Sequence, residues 1–123
     1  MYEGKYGPSY LLNEEPGSLP QDVYEVALGR PLGIMFEEND FPKKGVKVIG
    51  VVDDSNAAQS GRIAEGDQLV GVTGIRVQGA KFERQMCDAT KMDYDTVVDA
   101  VGSNSEKFNC EDVILRFRRP PAA

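Results

Sequence analysis

The sequence predicts a mainly β fold, six short strands in a partly open antiparallel barrel or sandwich capped by one short and one longer α-helix. Three observations carry it. The runs VYEVAL, GIMFEE, VKVIGVV and QLVGV are β-prone and are separated by Gly and Pro turns. Helix signals occur only at NAAQS and DYDTVVDAVG, each behind an Asp or Ser. Near the end, DVILRFR alternates apolar and polar residues, as a half-buried strand does.

Taken in order, residues 1–22 mix Gly, Pro and Tyr without period and read as an extension, in which Tyr2, Tyr6 and Tyr10 could dock or hang free. VYEVAL stops at Gly29, and GIMFEE follows the turn formers Pro31 and Gly33. After the loop NDFPKKG, VKVIGVV is the third strand, and Asp54-Ser55 caps a short helix ended by Gly61. QLVGV is the fourth strand, with Thr73-Gly74 expected as a tight turn into a short fifth strand, IRV. QGAKFERQMCDATKMD, residues 78–93, reads as a long loop. Asp93 then caps a helix that Gly102 stops. In the last strand Val113, Leu115 and Phe117 should face inward, Arg116 and Arg118 outward.

Composition narrows the function. The 123 residues suit one module, with no apolar run long enough to span a bilayer, so a soluble protein without membrane insertion is expected. A formal charge of -6 repels phosphate backbones, which argues against nucleic-acid partners. Without histidine the commonest general base and most zinc sites are gone; the carboxylates lack calcium-loop spacing, and no Gly-rich phosphate loop occurs. No catalytic residue, metal site or cofactor is therefore assigned. Cys87 and Cys110 could pair, but so low a cysteine count fits free thiols in a reducing compartment. The beginning has neither a signal-peptide nor a transit-peptide pattern.

The segment PLGIMFEEN resembles the carboxylate-binding loop and second strand of PDZ domains, and SNAAQSGRIAEGDQLVGVTGIRV resembles their short helix, Gly-Asp turn and hairpin, with Thr73 where the family usually has Asn. The resemblance runs from Val23 to Arg119, leaving residues 1–22 as an extension, 78–93 as an insertion and 120–123 as a tail. It implies an intracellular module that binds C-terminal or internal peptide segments of proteins. The insertion, with DYDTVVDAVGSN behind it, also resembles PDZ-containing proteins of algae with secondary plastids, which implies cytoplasm or plastid. KFERQ at 81–85 matches a lysosomal-uptake signal, too short a match to carry weight.

The chemistry of the loop can also be argued from its residues. Gly33 between two apolar residues lets consecutive N–H groups, those of Leu32, Gly33 and Ile34, converge on an anion such as a terminal carboxylate; Pro31 has no N–H and only shapes the turn. A ligand held there can add a strand along Ile34 to Glu38. By the resemblance, the helix from Tyr94 faces this strand, so that Leu32, Ile34, Phe36, Val98 and Val101 enclose a pocket for the last ligand side chain, suited to Val, Leu, Ile or Phe. The alternative role for Leu32 and Ile34 is as core residues holding the turn together, and the resemblance implies that they do both.

Specificity falls on Tyr94, Met35 and Glu37. Many family members have His at the helix start, which selects Ser or Thr at the third-last ligand position; Tyr94 instead suits an acidic or hydrophobic residue there, or merely packs. Arg30 resembles the family's carboxylate-assisting base, or is a solvated strand-end charge. Glu37, Glu38 and Asp40 either favour basic residues upstream in the ligand or simply protect a sheet edge. Beside this peptide-binding reading stand two others: an assembly subunit of a larger complex that grips with its extension and insertion, and the regulatory PDZ domain of a protease.

Overall fold

In a computed structural model, residues 16–40 and 45–121 are described. The strands are β1 (Val23–Leu28), β2 (Ile34–Glu38), β3 (Val46–Val51), β4 (Gln68–Gln78), β5 (Lys81–Asp88) and β6 (Val113–Arg118). The helices are α1 (Asn56–Ser60) and α2 (Tyr94–Ser103), with single 3-10 turns at Pro16–Ser18 and Glu106–Phe108. Every pairing is antiparallel, in the order β1-β6-β4-β3-β2, with β5 on β4. Six strands and two helices agree with the predicted class. Tyr2, Tyr6, Tyr10 and the last two residues lie outside the described residues. None of the described helices is long and apolar enough to cross a membrane.

The core forms because β3 and β6 turn alternate apolar residues inward, while β4 is buried on both faces from Leu69 to Gly74. Val113, Leu115 and Phe117 of β6 are fully buried, and the Phe117 ring stacks between Tyr24 at 5.5 Å and Phe36 at 6.5 Å. Burying a ring of that size is worth about 2–3 kcal/mol. At the Gly-Asp turn the buried Asp67 accepts hydrogen bonds from the Tyr24 hydroxyl at 2.6 Å, the Ala64 amide at 3.1 Å and Arg119 at 2.8 and 3.0 Å. Burial alone would raise this carboxyl, but these donors outweigh it and hold its pKa below the ordinary value. One carboxylate thus ties the start of β4 to β1 and to the residue after β6.

Four local expectations are corrected. Thr73-Gly74 is no turn: β4 runs unbroken from Gln68 to Gln78, and the chain reverses at Gly79, whose φ of +59° suits glycine. The stretch 78–93 is not a long loop, because Lys81–Asp88 pairs with Gly71–Gln78 as a long hairpin. The extra residues, which the family resemblance set apart as an insertion, form a strand because their main chain pairs with β4 despite their mixed polar side chains. Gly102 does not stop α2, which reaches Ser103 and is capped by Asn104. The buried Asn104 donates to the carbonyls of Thr73 and Ala100, each at 2.8 Å, and accepts from the Thr73 hydroxyl at 2.8 Å. Finally, Arg116 is buried, not outward, with its Nε 2.8 Å from Glu25 Oε1 of β1; a paired guanidinium tolerates a burial that alternation alone forbids.

Candidate functional site

Among the described residues, strand order leaves β2 at a sheet end, paired with β3 on one side only. Beside its other edge lies α2, with a mostly apolar groove of about 560 Å³ between them. Its near end is the loop 30–34. That loop is held from beneath: the Asn56 side-chain amide donates to the carbonyls of Gly29 at 2.9 Å and Pro31 at 3.0 Å, the Ala57 amide to Leu32 O at 2.9 Å, and the Val52 amide to Gly33 O at 2.8 Å.

With those carbonyls engaged below, the amides of Leu32 and Gly33 donate to no group among the described residues. Free donors beside an apolar concavity suit an anion with an apolar neighbour. Gly33 has φ +84°, and a Cβ there would collide with the Ser55 side chain. Ser55 cannot withdraw, since its hydroxyl donates to Val52 O at 2.6 Å and accepts from the Ala58 amide as the cap of α1. Position 33 is therefore glycine for two independent reasons.

Of the residues singled out in the sequence, Arg30, Leu32, Gly33, Ile34, Phe36, Tyr94, Val98 and Val101 all line the groove. Leu32 also belongs to the buried core, so the turn-holding and lining roles coexist. Val98 and Tyr94 are 48% and 44% exposed, unusually open for an apolar and an aromatic side chain on a packed helix. Met35 and Glu37 do not line it. They project from the opposite face of β2, where Met35 lies across Gly50 and Glu37 pairs with Lys47 at 3.6 Å.

Two contributors escaped sequence reasoning, and a third, Glu38, figures there only as a charge beside the ligand or a guard of the sheet edge. Val97 is buried at the base of the groove, and its spacing of i+3 from Tyr94 could have revealed it. Asn56, which clamps the loop, gave no signal, because its partners are main-chain atoms 25 and 27 residues away. Glu38 turned out to accept the Tyr94 amide at 3.0 Å, a contact set by the approach of strand to helix. Cys87 and Cys110 are both free thiols, and burial raises the Cys87 pKa, which keeps it protonated.

An edge strand facing a helix across an apolar groove, with a glycine-shaped loop at its end, defines the PDZ fold. The chain is similar to the second PDZ domain of Dlg1 from the choanoflagellate Monosiga brevicollis, in two crystal forms. The TM-scores are 0.57 and 0.56 at 18% identity, over 79% and 80% of this chain and 92% and 99% of that one. The likeness shows the fold. No family model and no curated protein matches the sequence.

Proposed function

We propose that the chain is a protein-interaction module that captures C-terminal peptides by adding them as a strand to β2. The observation that carries this is a pair of amides, Leu32 and Gly33, at the end of an apolar groove bounded by a strand edge, all without a partner among the described residues. A terminal carboxylate would accept from these amides, with Arg30 close enough to lend positive charge. The last side chain would enter between Leu32, Ile34, Phe36, Val97 and Val101. Main-chain bonds to β2 supply affinity and the pocket supplies selectivity. At the third-last position Tyr94 and the exposed Val98 offer apolar surface and one phenol, which favours a hydrophobic or acidic residue over Ser or Thr.

The test is an array of peptides with free and amidated ends. Binding in the micromolar range that amidation abolishes is expected; equal binding of amidated peptides would rule out carboxylate capture. A second reading, an assembly subunit, is favoured by one feature, the exposed Val77 and Phe82 at the end of the β4–β5 hairpin. It gains if no peptide binds.

A further inference from the structure

The far end of the groove is crossed by hydrogen bonds. Along β2 the less exposed positions are Ile34, Phe36 and Glu38. The first two line the groove, whereas the third reaches the helix: Glu38 Oε2 accepts the Tyr94 amide at 3.0 Å. A carboxylate is favoured there by the free amides and the dipole of the first helical turn. Asp93 serves the same turn by accepting the Thr96 amide at 2.8 Å.

Two main-chain bonds reinforce the crossing. The Gly45 amide donates to Met92 O at 2.8 Å, and the Asn39 amide donates to Gly45 O at 3.1 Å. The chain leaving β2 is thereby joined to the chain entering α2. Gly45 has φ +80°, and a Cβ on it would press to 3.2 Å from both Asn39 Nδ2 and Thr90 O, so a side chain there would strain the junction.

Resting on the peptide-capture reading, we infer that Glu38 sets the length of ligand the groove accepts. Its bond to Tyr94 closes the groove beyond Phe36, so a ligand pairs as an extended strand for about four residues, at ~3.3 Å each, before its chain rises away from the sheet. The partners it fits are C-terminal tails that are extended only at their last few residues and turn or fold directly upstream. Longer extended tails gain no further pairing.

The experiment measures, by fluorescence anisotropy, the affinity of free-carboxylate peptides of three to eight residues sharing one C-terminal sequence. Affinity should rise up to about four residues and then change by less than about twofold. In Glu38→Ala the eight-residue peptide should bind about tenfold more tightly than the four-residue one. Glu38→Gln keeps a side-chain acceptor for the Tyr94 amide and should reproduce the original profile. Steadily rising affinity in the unaltered protein overturns the inference, as does a plateau that persists in Glu38→Ala. Should Glu38→Ala not fold, Glu38→Thr, whose hydroxyl is too short to reach the Tyr94 amide, takes its place with the same expected gain for the eight-residue peptide and the same overturning result. Failure of every peptide to bind overturns the peptide-capture reading as well, whereas binding without a plateau overturns the length inference alone.

Discussion

At the scale of single residues, Gly33 and Tyr94 carry separable roles. Any side chain at position 33 meets an unfavourable φ and the Ser55 side chain at once. Gly33→Ala should therefore cost about 1–3 kcal/mol in urea denaturation and weaken peptide binding at least about tenfold. Tyr94 is exposed at the groove's edge, where a change of chemistry leaves packing nearly untouched. Tyr94→His should move array preference toward Ser or Thr at the third-last ligand position with stability within about 0.5 kcal/mol. An unchanged profile would mean that Tyr94 only packs.

Among elements, the placement of α2 matters most, because it forms one wall of the groove. Its C-terminal end is pinned to β4 by Asn104 and by the Ser103 hydroxyl, which accepts the Ile75 amide at 3.0 Å. Asn104→Ala leaves the buried Thr73 hydroxyl and carbonyl short of partners and should cost about 2–3 kcal/mol in chemical denaturation. The end of the β4–β5 hairpin, by contrast, contributes nothing to the groove lining. Replacing residues 77–82 by a two-residue turn should leave peptide affinity within about twofold, and a larger loss would show that the hairpin supports the groove after all.

Over the whole molecule, stability depends on pH through the cluster at Asp67. Its carboxyl is held below the unfolded value of about 3.9, so its contribution is present above that pH and lost as acid protonates the folded form. Tyr24 shows the opposite sign. Burial, then the bond to Asp67, raises its phenol, so its contribution is complete below about pH 10 and lost as pH climbs further. Melting temperature plotted against pH should fall on both sides. Asp67→Asn should flatten the acid limb and Tyr24→Phe the alkaline one; parallel curves would assign the pH dependence to other groups.

Much of this molecule was legible in its sequence because the relevant information is local. β-prone runs bounded by Gly and Pro turns located β1, β2 and β3, and period-two alternation located β6, since a strand's side chains face its two sides in turn. Ser55 and Asp93 announced their helices because a cap acts on amides within three residues. The groove-lining residues were readable only through the resemblance of the loop and its flanking elements to PDZ domains, which sets the helix from Tyr94 against β2. Tertiary structure alone decided the rest. The hairpin's length depended on pairing between Gly71–Gln78 and Lys81–Asp88, Arg116 could be buried only because Glu25 sits opposite on β1, and the Asn56 clamp and the Glu38 crossing join groups 25 to 56 residues apart. Periodicity records which side of an element is apolar, but the partner of a buried charge or a free amide exists only once distant segments have met.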